Sequence, residues 1–160
     1  MPTYKAGIRW KRNGARFLDH KYQRTHTWTF DNGLRLKAAA SPHIVGKSFT
    51  DSSVIDPEEA FIASVGSCHM LWFLSLAAGM GFVVNKYSDQ SEGTLEKNSE
   101  GHMAMTKVLI QPMVSFEADN APSQEDFLKL HREAHRKCFI ANSVKSDIEI
   151  LPKMVTDQNL

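Results

Sequence analysis

The chain predicts an α+β domain with two main helices and a largely antiparallel sheet, and three observations carry that prediction. Stretches of two-residue hydrophobic period neighbour one another across short polar turns, as hairpins and meanders do. Two stretches of helical period divide them, giving the order strand, strand, strand, helix, strand, strand, helix, strand. Strands and helices therefore do not alternate one by one, as a doubly wound parallel sheet would require.

The first strand is read from Tyr4, Ala6, Ile8 and Trp10, which alternate with Lys5, Gly7 and Arg9 before the polar stretch Lys11 to Lys21 breaks the pattern. His26, Trp28 and Phe30 alternate with threonines, and after Asp31-Asn32-Gly33 the alternation resumes at Leu34 and Leu36, an Asn-Gly hairpin signal. Ala38 to Ile55 reads as a long irregular loop, a feature that tends to be functional in a compact domain. A helix then starts at Pro57, with Asp56 placed to cap it and Glu58 and Glu59 in the first turn, where the helix dipole favours negative charge. From Ala60 to Phe82 there is no Asp, Glu, Lys or Arg, and apolar residues occupy every side after Cys68. This long central helix is accordingly expected to be buried by other elements on all sides.

Gly79 and Gly81 suit its C-terminus, and Val83 to Glu96 and His102 to Phe116 read as two strands, the second interrupted or at an edge because of Pro112. Ser123 caps a second helix in which Phe127, Leu130, Ala134 and Cys138 share one face, with His131 and His135 expected near its exposed side. Asp147 to Leu151 alternates like a closing strand.

The 160 residues suit a single domain, 1–160, large enough to bury a core. With 19 Lys+Arg against 18 Asp+Glu there is no net basic field, so nucleic acid is not an expected partner. The N-terminus lacks the apolar core of a secretory signal, which points to the cytoplasm, where two cysteines are more often free or redox-active than a permanent staple. The uncharged run has the length of a bilayer span, but it contains Ser, Gly, Cys and His and lacks a flanking basic cluster or aromatic belt. A core helix is expected, not a membrane segment.

Cys68 and Cys138 each fall on an element predicted to be buried. A buried thiol can be mere packing, whereas a reactive one needs a cation or aligned N–H group, and a second thiol in reach makes its oxidation recoverable. Both readings stay open on spacing alone. Glu58 lies ten residues before Cys68, about 15 Å of helical rise and nearly a quarter turn out of phase, so a site shared by the two needs a bend or a second copy of the chain. Cys68, His69, His135 and Cys138 invite a zinc reading, but adjacent helical residues point about 100° apart, so Cys68 and His69 are not expected to meet on one ion. No glycine-rich phosphate loop, nucleotide fingerprint or Gly-x-Ser-x-Gly elbow is present.

The start Asp56-Pro57-Glu58-Glu59, the cysteine ten residues after Glu58, and the segment Ala134 to Ser143 around Cys138 resemble the OsmC/Ohr family of thiol peroxidases, with the element order from about Tyr4 to Leu151 in agreement. The resemblance implies the OsmC-like fold, an intertwined homodimer with active sites at the subunit interface, and no metal or organic cofactor. It also implies the chemistry: Cys68 attacks an organic hydroperoxide and becomes a sulfenic acid, Cys138 resolves it to a disulfide, and an external dithiol of the dihydrolipoyl type restores the thiols. Glu58 matches the family's acid, which holds an arginine beside the nucleophile; Arg24 is assigned that place, ahead of Arg16 and Arg9. Phe139 stands where the family usually has proline, and His69-Met70-Leu71-Trp72 is bulkier than usual, which marks a divergent subgroup with altered substrate preference. The competing expectation is a non-enzymatic, stress-associated protein that binds an apolar small molecule at the dimer interface.

Overall fold

Nine strands and two α-helices follow the expected order in the computed structural model, which describes residues 1–160: β1 (Ala6–Arg9), β2 (His26–Phe30), β3 (Arg35–Ala38), α1 (Pro57–Gly79), β4 (Val84–Ser88), β5 (Glu92–Lys97), β6 (Met103–Ile110), β7 (Met113–Phe116), α2 (Gln124–Lys137), β8 (Asp147–Ile150) and β9 (Lys153–Met154). Contacts divide the chain into two units, Met1–Ala60 and Phe61–Leu160. The fold is α+β with mostly antiparallel pairing, as predicted; β6 with β8 and β7 with β9 are the parallel pairs.

In the first unit, β1-β2-β3 form an antiparallel sheet. The Asn-Gly hairpin is present: Gly33 takes φ 83° and Asn32 Oδ1 accepts the Leu34 N–H at 3.0 Å. Register places Ile8 opposite Trp28 and Trp28 opposite Leu36 on one face, and Arg9, Thr27 and Lys37 on the other. The loop that follows β3 closes on the sheet through a parallel bridge between Ala38 and Ile55, which delivers the chain to α1.

Both ends of α1 are built as the residues dictate. Asp56 Oδ1 accepts the Glu59 N–H at 2.8 Å while Glu59 Oε2 accepts the Asp56 N–H at 3.3 Å, a reciprocal cap. At the other end Gly81 takes φ 82°, its N–H bonds Ala78 O at 3.1 Å and the Phe82 N–H bonds Ala77 O at 3.0 Å, the Schellman pattern that glycine makes cheap. The middle of α1 departs from expectation. Its buried residues are Val65, Gly66, His69, Phe73 and Ala77, one stripe, whereas Leu71 is 63% exposed. Strands of the second unit and α2 pack against that stripe, with Trp72, Leu74 and Leu76 partly buried beside it, while the uncharged positions Ala63, Ser67, Leu71 and Ser75 on the opposite side are exposed.

The second unit holds two apolar clusters. Phe73 and Ala77 of α1 pack with Val114 and with Phe127, Leu130 and Ala134 of α2; Val65 packs with Val108 and Ile110 of β6. The stretch Val83 to Glu96 is two strands, not one, and the break matches two others. Asp89 to Ser91 separates β4 from β5, Gln111-Pro112 separates β6 from β7, and Leu151-Pro152 separates β8 from β9. Each proline withholds a ladder N–H, and Asp89 Oδ1 accepts the Gln111 N–H at 2.7 Å in place of a strand bond. Gly66 allows this corner to approach α1, since a Cβ there would lie 2.7 Å from Ser91 Oγ and 2.9 Å from Asp89 Oδ2.

Candidate thiol site

Cys68 is half-buried on α1, between the exposed Ser67 and the buried His69. Cys138 was expected on α2 and instead caps its C-terminus, with φ −65° and ψ 113°, because the chain turns out of the helix there. A short turn, Ala141–Ser143, folds back onto it. The Ala141 N–H donates to Cys138 Sγ at 3.3 Å, the Cys138 N–H donates to His135 O at 3.2 Å and the Asn142 N–H donates to Cys138 O at 3.0 Å, so the cysteine is held by backbone on both sides.

The two thiols are free and near enough for one to alter the titration of the other. Burial, and after it the neighbouring Cys68 thiol, push Cys138 up to about 11 against the opposing pull of the Ala141 N–H. Two residues some seventy positions apart thus meet, one from the middle of α1 and the other from the C-terminal cap of α2. The bulky side chains that follow each cysteine also meet: Trp72, one turn beyond Cys68, packs edge-on against Phe139 at 5.5 Å, and Lys137 Nζ lies 5.4 Å from the Trp72 ring centre.

His131 corrects the sequence reading, which placed it near the exposed side of α2. It is 2% exposed and Nδ1 lies 2.9 Å from Nε2 of His69, itself 1% exposed. The signal was present: Phe127, Leu130, His131 and Ala134 are a complete i, i+3, i+4, i+7 stripe, with a polar residue in one place. Burial depresses both rings, His69 to about 4 with His135 as the second cause and His131 to about 3 with His69 as the second cause. No group of three or more His, Cys, Asp or Glu side chains is arranged to hold a metal ion.

Arg24 and Glu58 belong to the first unit. The Arg24 guanidinium donates to the carbonyls of His20 at 2.7 Å and Tyr22 at 2.5 Å and stacks 3.9 Å from the Tyr22 ring centre. It lies at an apolar cleft of about 420 Å³ lined also by Ile8, Trp10, Phe17 and Tyr22. Glu58 is half-buried and its Oε2 is buried with no partner. Neither residue takes part in an ion pair in the chain, so the Glu58–Arg24 pair implied by the resemblance is not formed within one copy.

The sequence pattern of the OsmC-like protein family matches residues 50–152, which include α1 and both cysteines. The chain belongs to the OsmC-like family. Among solved structures, an OsmC-like protein of unknown function from Vibrio cholerae is 42% identical, with a TM-score of 0.91 over 97% of this chain and 100% of that one. An organic hydroperoxide resistance protein from Elizabethkingia anophelis matches 98% of each chain with a TM-score of 0.71 at 16% identity. The organic hydroperoxide resistance protein OhrB of Bacillus subtilis covers 96% of this chain and 98% of its own, with a TM-score of 0.59 at 18% identity. These last two establish a shared OsmC-like fold. No curated protein sequence matches the chain.

Proposed function

We propose that this OsmC-like protein is a cysteine-based peroxidase that reduces organic hydroperoxides in the cytoplasm. The observation that carries the reading is the meeting of Cys68 and Cys138, both free, at the junction of α1 and the end of α2. The Cys68 thiolate attacks the terminal peroxide oxygen; the O–O bond breaks, Cys68 becomes a sulfenic acid, and the alkoxide leaves as alcohol after taking one proton. The Cys138 sulfur then displaces the sulfenic oxygen as water, forming the disulfide. An external dithiol of the dihydrolipoyl type donates two electrons and two protons to restore both thiols, with no metal or organic cofactor in the cycle.

A homodimer completes this proposal. The outer stripe of α1, with Ala63, Ser67, Leu71 and Ser75, is exposed and uncharged, which suits a second copy better than water. The unpaired Glu58 Oε2 likewise needs a donor that the single copy does not give it. The family resemblance assigns Glu58 as the acid and Arg24 as the cation that support Cys68, and Arg24→Ala is expected to slow peroxide consumption.

The test is to treat the reduced protein with equimolar cumene hydroperoxide and titrate its thiols. Loss of both thiols per chain with recovery by dihydrolipoamide is expected, and abolition by Cys68→Ser. If both cysteines remain free, the peroxidase reading falls. The apolar cleft beside Arg24 favours one other reading, a non-enzymatic protein that binds an apolar small molecule; native mass spectrometry would then find a retained ligand in protein that works equally well as Cys68→Ser.

A further inference from the structure

The peroxide chemistry makes no use of the most heavily buried polar pair in the second unit. His69 on α1 and His131 on α2 lie with rings 9° from parallel and centroids 5.3 Å apart, joined Nε2 to Nδ1 at 2.9 Å. The remaining nitrogens, His69 Nδ1 and His131 Nε2, are buried without partners. One ring donates the shared proton, so in either tautomer one orphan is an N–H and the other a lone pair. Each orphan is a desolvated polar atom left unpaired, a cost that two apolar side chains of similar shape would avoid. Packing does not call for imidazoles here, because His131 is already stacked on Phe73 at 4.2 Å and edge-on to Phe127 at 4.7 Å, as a phenyl ring could be.

What the imidazoles add is direction. Theirs is the only hydrogen bond between side chains of α1 and α2; the contacts of Phe73 and Ala77 with Phe127, Leu130 and Ala134 are apolar and carry no directional bond. Cys68 immediately precedes His69, and Cys138 caps the helix that carries His131.

We propose that the His69–His131 pair is a positioning clamp, whose one directional bond fixes α1 against α2 so that the Cys68 and Cys138 sulfurs are held at the approach a disulfide requires. This rests on the reading that the two thiols form a disulfide. The bond is seen here between the helices of the dithiol state and is kept in the disulfide, so it favours disulfide formation by raising the effective concentration of one thiol at the other.

The test is the equilibrium with glutathione, in which Cys68 and Cys138 give two electrons and two protons to glutathione disulfide, released as two glutathione molecules. His131→Phe keeps the ring shape and the stack on Phe73 and is expected to lower the equilibrium constant for disulfide formation about tenfold, the scale of one buried hydrogen bond. His131→Asn, which places an amide group where Nδ1 lies, is expected to restore most of it. The double variant His69→Leu/His131→Leu removes every orphan; it is expected to unfold no more readily than the parent yet to show the same loss in the disulfide constant. Parent-like constants in both His131→Phe and the double variant would overturn the clamp while leaving the peroxidase reading standing. A parent protein that forms no intramolecular disulfide in any glutathione buffer would overturn both.

Discussion

Cys138 shows how much a residue's surroundings decide. Its exposure is 0%, and burial together with the adjacent Cys68 thiol holds it protonated up to about 11. In the reduced native protein Cys138 is therefore expected to resist iodoacetamide at neutral pH, and peptide mass spectrometry after alkylation checks this. Because its pKa is raised above the usual 9.0, the protonated thiol contributes stability that is intact below pH 9 and is lost as pH climbs toward 11. The histidine pair acts at the other end of the scale. His69 and His131 are depressed from 6.5 to about 4 and about 3, so the unfolded chain binds more protons than the folded one across that window. Stability supplied by the neutral rings is complete above pH 6.5 and declines as pH falls toward 3. His135 is the titratable group that acts on His69, and His69 the one that acts on His131; no carboxylate offsets either. Thermal unfolding of the parent and of His69→Leu/His131→Leu should thus converge at neutral pH and diverge in acid, the double variant losing less.

Among the elements, α1 is set by its two ends. The reciprocal Asp56–Glu59 cap starts it, and Gly81 stops it in a conformation that L side chains rarely adopt. Gly81→Ala is expected to destabilise the protein by about 1 kcal/mol, seen as a lower urea midpoint with an unchanged slope, because the Schellman bonds then require a strained alanine. The corner at Asp89, Pro112 and Pro152 is a second device of this scale. Three chain segments break together, and the small Gly66 on α1 leaves the room for them.

For the molecule as a whole, the uncharged outer stripe of α1 is the feature that one copy leaves unresolved. A homodimer across it is part of the proposed function. Leu71→Glu is expected to convert the protein to monomer in sedimentation velocity while costing the isolated fold within about 0.5 kcal/mol, since Leu71 is 63% exposed in the single chain. A dimer that survives this change would move the interface elsewhere.

Local chemistry made much of this legible from sequence. The Asn-Gly hairpin, the capped starts of both helices, the glycine stop and the interruption at Pro112 each depend on a few neighbouring residues, and each stands where it was read. The α+β class and the OsmC-like family followed from their order and from the two cysteine segments. What sequence could not decide involves distance across the fold. Helical period placed His131 near solvent because a histidine reads as polar, and only the packing of α2 on α1 shows it in the core. Apolar girth predicted that α1 would be enclosed, but how many elements one chain can lay against a helix is a tertiary fact. The nearness of Cys68 to Cys138, on which the proposed chemistry turns, is likewise a property of how two helices pack, and no spacing along the chain encodes it.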